Sequence, residues 1–146
     1  NIDIIKNNNF KISNMTINNK LISKGFILAG VMNSSVILFS RGFTNKTINA
    51  YNPDVMSNFG MLMILIWGLA YISIAYKFQN VKWLVFVFAI EKLIYGSVWL
   101  QWMTTNDVSI IYDKDKMAGI FYSIYGLNDW LFCVFFLYVF IRLLKQ

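Results

Sequence analysis

Four stretches of mostly apolar residues, at about positions 21–40, 55–76, 81–103 and 117–141, constrain this 146-residue chain more than any other feature. At a rise of about 1.5 Å per residue, a helix needs about 20 apolar residues to cross the hydrocarbon of a bilayer. Each stretch reaches that length. Composition agrees, since 58% of the residues are hydrophobic and 14% charged, whereas a soluble domain carries about a quarter charged. The expected fold is therefore an all-α membrane protein with four transmembrane helices.

The links between the stretches are short, at roughly positions 41–54, 77–80 and 104–116. Short links make neighbouring helices antiparallel, so an up-down-up-down bundle over residues 21–146 is the simplest closure. Asn52-Pro53-Asp54 precedes the second stretch and reads as a helix start, where the missing proline N–H costs nothing. Orientation follows from the basic residues. Lys6, Lys11, Lys20, Lys24, Lys77, Lys82, Arg142 and Lys145 fall on one face, while Arg41, Lys46, Lys114 and Lys116 fall on the other. That asymmetry predicts a multi-pass protein of the cell inner (plasma) membrane with both termini cytoplasmic. Tyr76 and Trp83 are expected at the inner boundary, and Tyr51, Phe59 and Trp102 at the outer one.

Residues 1–20 are a different material, rich in Asn and Lys and without the apolar run of a signal peptide. They are expected to form a poorly ordered polar arm drawn to the anionic inner leaflet by its lysines. Met15, just ahead of the first stretch, is a candidate translation start.

Charged residues within the apolar stretches carry the functional information. Glu91 and Lys92 interrupt the third, and Asp129 interrupts the fourth with twelve uncharged residues on either side. Helical rise places Glu91 and Asp129 about 18 Å from the outer boundary. Each such group costs about 2.5–3.5 kcal/mol at a helix centre. Three unpaired would cost roughly 8–10 kcal/mol, comparable with the whole stability of a small domain. They must face inward and meet one another, water or a ligand.

Spacing adds neighbours. Asp129 shares a helix face with Tyr125, Tyr122 and Cys133, and Glu91 shares one with Tyr95. The second stretch offers Trp67 and Tyr71 four apart, and the first offers Asn33. The candidate ligand-binding or proton-relay cluster is accordingly Asn33, Trp67, Glu91, Lys92, Tyr95, Tyr125, Asn128 and Asp129. Two carboxylates and one ammonium leave a formal charge of minus one, which a proton, water or a cationic ligand would complete.

Other features read as structure. Gly25 with Ala29, Gly30 with Ser34, and Gly119 with Ser123 are small-residue pairs that let helices approach closely. Cys133 sits in an apolar run as an inert thiol. Lys114 and Lys116 alternate with Asp113 and Asp115 as in a solvated loop.

Several chemistries are excluded. The chain has no His and one Cys, which removes Ser-His-Asp and Cys-His catalysis, imidazole-ligated metals, internal disulfides and thiolate zinc. Its eight glycines never form a phosphate-binding loop. No metal, cofactor or catalytic residue is assigned, and the net charge of +6 follows from membrane topology rather than nucleic-acid binding.

Four short-linked spans with Glu91 and Asp129 at depth make the layout similar to that of DoxX-like membrane proteins and emopamil-binding-type sterol isomerases. The resemblance is one of topology and carries over no catalytic role. The latter family uses a histidine that this chain lacks, and the single cysteine separates it from vitamin K epoxide reductase-like bundles. The expected function is binding or carrying a small amphipathic, hydrophobic or cationic molecule, or relaying a proton. Alternatives are a structural or accessory subunit, as a homo-oligomer or beside a membrane partner, and an enzyme using paired carboxylates on a lipid-soluble substrate.

Overall fold

The computed structural model describes the backbone of residues 2–145 and the side chains of residues 18–145. The expected disorder of the polar arm falls mostly on residues 1–17, outside the described side chains. Helix accounts for 82% of the described residues, and no strand occurs among them. The order is α1 (Ile2–Ser34), α2 (Val36–Phe39), α3 (Lys46–Tyr51), α4 (Asn58–Ile74), a 3-10 turn (Phe78–Asn80), α5 (Lys82–Met103), α6 (Val108–Lys114) and α7 (Lys116–Leu144). Three segments are long and apolar enough to cross a membrane: Asn18–Phe39, Lys82–Met103 and Lys116–Leu144. Their length and composition suggest a helical membrane protein. The apolar helix α4 is shorter, at 17 residues.

Local chemistry sets the boundaries. Asn45, Ser57, Asp107 and Asp115 each lend a side-chain oxygen to a backbone N–H in the first turn of α3, α4, α6 and α7, satisfying donors the helix leaves open. For α4 this corrects the start expected at Asn52-Pro53-Asp54. Asn52 instead ends α3 outside the helical region, at φ −151° and ψ 72° ahead of Pro53, and the Ser57 hydroxyl accepts from Gly60 N at 3.1 Å. The chain reverses after α2 through three successive positive φ angles, at Arg41, Gly42 and Phe43. At Asp107, hydrogen bonds from the Ser109 side chain and backbone hold the carboxyl below its ordinary value.

Packing runs as a row, α4 on α1, α1 on α7, and α7 on α5, with α6 laid on α7. Small residues let the backbones close up. A Cβ on Gly30 would lie 2.6 Å from the Gly68 carbonyl oxygen, and one on Gly126 would lie 1.9 Å from the Trp99 ring. Paired contacts run in opposite order along each seam. On α1 and α7, Asn19 meets Arg142, Phe26 meets Phe136, and Arg41 beyond α2 meets Asp115. On α5 and α7, Phe86 meets Phe140, Lys92 meets Asp129, and Trp102 meets Tyr122.

Two aromatic cores flank the middle. One holds Phe26, Tyr71, Phe88 and Phe136, and the other holds Trp99, Trp102, Phe121, Tyr122 and Tyr125. Trp102 departs from its expected place in a boundary belt. It is buried, stacked on Tyr122 at 4.4 Å, and donates its indole N–H to Tyr51 O at 2.8 Å. Phe59, Tyr76 and Trp83 are exposed.

Asp115 also departs from the solvated loop expected of it. Besides capping α7 it pairs with Arg41 at 3.0 Å and accepts from Asn45 Nδ2 at 3.3 Å. A helix N-terminus and a guanidinium together explain why that carboxylate turns inward.

Candidate functional site

Lys92 is the hub of the polar residues between the two aromatic cores. It is 1% exposed, and an ammonium so deep requires acceptors. Its Nζ donates to Asp129 Oδ1 at 2.5 Å and to Asn33 Oδ1 at 2.8 Å, joining α5 to α7 and α1. Asn33 in turn donates its Nδ2 to Ile64 O on α4 at 3.1 Å. A Gly68 Cβ would lie 2.9 Å from Asn33 Cβ, so the absent side chain keeps that region of α1 and α4 together. One ammonium therefore organises residues from all three of its neighbouring long helices.

Glu91 is held differently. Its Oε2 accepts a hydrogen bond from the Tyr71 hydroxyl and stands 3.8 Å from Lys92 Nζ. Its Oε1 is buried with no hydrogen-bond partner among the described residues. Tyr71 is clamped by ring contacts with Phe88 at 4.7 Å and Phe136 at 5.0 Å, and Lys92 Nζ lies 5.4 Å above its ring. Asp129 is thus matched to a cation, while half of the Glu91 carboxylate has nothing to bind.

A cavity of about 40 Å³ adjoins these groups. Its polar wall is Asn33, Ser35, Glu91, Lys92, Tyr95, Tyr125, Asn128 and Asp129. That volume holds a few water molecules or a small ammonium group and nothing of drug size. The Tyr125 hydroxyl is buried with no partner among the described residues.

Of the residues singled out from sequence, the structure joins Asn33, Lys92 and Asp129 by hydrogen bonds and brings Glu91 beside them. Tyr95, Tyr125 and Asn128 line the cavity. Trp67 does not belong to this cavity. It packs edge-on against Phe88 at 6.1 Å and borders a separate cleft with Glu91 and Tyr95. The side chain that reaches the carboxylate from α4 is Tyr71, one turn away on the same face, and its hydroxyl was the available signal. Cys133 is buried, with its Sγ 3.5 Å from Ala89 O, as an inert core thiol would be.

Chemically the arrangement can hold a positive charge. It contains two carboxylates against one ammonium, a free carboxylate oxygen and an adjoining space. No protein-family model, curated protein or solved structure matches the chain.

Proposed function

We propose that this protein is a four-span bundle of the cell inner membrane, running up-down-up-down with both termini cytoplasmic, that binds a small cationic species at Glu91. The antiparallel order is supported by the opposed contact sequences along α1 and α7 and along α5 and α7. The orientation is supported by the eight Lys and Arg residues on one set of ends against four on the other. In this reading α4 is the fourth span. Its 17 residues rise about 25 Å, which a locally thinned bilayer accommodates.

The single observation behind the binding reading is the unpartnered Glu91 Oε1, in a cluster of formal charge minus one beside a cavity. A buried acceptor left open is costly, and a proton on water or an ammonium group supplies both the donor and the missing charge. The limit of about 40 Å³ selects species of that size.

Thermal unfolding of the purified protein in mild detergent tests this. Methylammonium chloride should raise the melting temperature above that in choline chloride of equal ionic strength, and Glu91→Gln should abolish the difference. An equal response in both chains, or no response in either, overturns the proposal. A purely structural role is favoured by one observation, the complete pairing of Lys92 with Asp129 and Asn33. It predicts indifference to methylammonium.

A further inference from the structure

Glu91 and Tyr95 line two spaces. One is the cavity of about 40 Å³ beside Lys92 and Asp129, partly open past Met32 and Ile124. The other is a cleft of about 270 Å³ between α4 and α5, walled by Trp67, Val87, Ile90, Glu91, Ile94 and Tyr95. The α4 and α5 backbones approach each other at few points, and the side chains that join them include Trp67 and Tyr71 against Phe88 and the Tyr71–Glu91 hydrogen bond. Val87, Ile90 and Ile94 are exposed at the outer surface of α5. On the membrane-spanning reading this surface meets acyl chains.

The cleft is therefore apolar, opens sideways to lipid, and has one carboxylate at its inner edge. We propose that it admits a lipophilic amine, whose ammonium group reaches Glu91 while its hydrocarbon lies along Val87, Ile90 and Ile94 against Trp67. This rests on the cation-binding reading of Glu91 and adds the ligand class and its route.

Charge and size both select this class. A single positive charge takes the Glu91, Lys92 and Asp129 set from minus one to neutral, whereas an anion deepens the imbalance and a dication overshoots it. The pocket of about 40 Å³ is too small for a hydrocarbon body, which the cleft can take. At about 270 Å³ the cleft is near the lower end of small-molecule sites, with lipid beyond it to take the rest of a chain. Trp67 and Tyr95 present aromatic rings on which an ammonium group is stabilised as it passes.

The experiment uses the full chain in mild detergent, with dodecylamine hydrochloride as probe, dodecanol as the uncharged control and methylammonium chloride as the small cation. Near saturation, dodecylamine should raise the melting temperature about 5 °C above that in dodecanol. Glu91→Gln should remove the effect. Ile94→Trp fills the cleft at a residue that does not line the cavity beside Lys92. It should abolish the dodecylamine response and keep the methylammonium response, with Val87→Phe as a second plug should the first misfold. A dodecylamine response that survives either plug, or survives Glu91→Gln, overturns the lateral route. A wild-type response to methylammonium but not to dodecylamine overturns it as well and leaves the Glu91 reading standing. No response to either probe removes both.

Discussion

The two sides of α5 present opposite solutions to the same problem. Toward α7 the helix is locked. Trp99 occupies the space left by Gly126, the Trp130 indole N–H bonds Gly96 O at 3.1 Å, Trp99 donates to Tyr122 O at 2.7 Å, and Lys92 grips Asp129. Toward α4 the same helix has a few ring contacts, one tyrosine–carboxylate bond and a cleft. In lipid no hydrophobic force drives apolar helices together, so a seam is held by shape and by polar bonds or it is not held. The α5–α7 side has both in every turn of its middle. On the α4 side the Tyr71–Glu91 bond and the Trp67, Tyr71 and Phe88 rings lie beside the cleft that Glu91 borders.

Lys92→Met probes the locked side most severely. It leaves Asp129 and Glu91 without their ammonium, and loss of one partner of a buried pair costs about 3–5 kcal/mol. Chemical unfolding in mixed micelles should show that loss, and a change under about 1 kcal/mol would mean that the carboxylates are neutralised without Lys92. Gly126→Ala comes next, because the added methyl meets the Trp99 ring. Overpacking of this kind costs about 1–3 kcal/mol, and the same unfolding measurement should show it with the methylammonium response retained. Ile90→Ala on the open side should be nearly silent, within about 0.5 kcal/mol. A large effect there would mean that α4 and α5 close over the cleft, and the contrast between the two seams would be lost.

Much of this arrangement follows from sequence because burying charge is expensive. Glu91, Lys92 and Asp129 had to turn inward, helical spacing put Tyr95 on the face of Glu91 and Tyr125 on that of Asp129, and Asn33 stood out as a polar residue of the first span. The identity of the carboxylate's partner was less accessible. Trp67 and Tyr71 lie on one face a turn apart, and only the stagger of α4 against α5 decides that the Tyr71 hydroxyl arrives at Glu91. The helix starts show a similar limit. Pro53 is a strong local signal, yet the residue that caps α4 is Ser57, because a cap needs a side-chain oxygen aimed at a free N–H. Trp102 and Asp115 were read as surface groups because each is amphipathic or charged, and nothing local to them reveals the Tyr51 carbonyl or the Arg41 guanidinium that draws them in. The cleft itself is a property of two helices failing to meet, which no single segment encodes.

The row of helices is pinned at the far ends of its α1–α7 seam. Arg41 holds Asp115 at one end and Arg142 bonds Asn19 at the other, with Asn33, Lys92 and Asp129 fastened between. A sheaf tied at top, waist and bottom along one edge cannot breathe there. Widening by thermal motion is then expected where α4 faces α5, because α4 stays packed on α1 while its hold on α5 is light. The bulk of any guest would then be limited by how far α4, carried on α1, can part from α5.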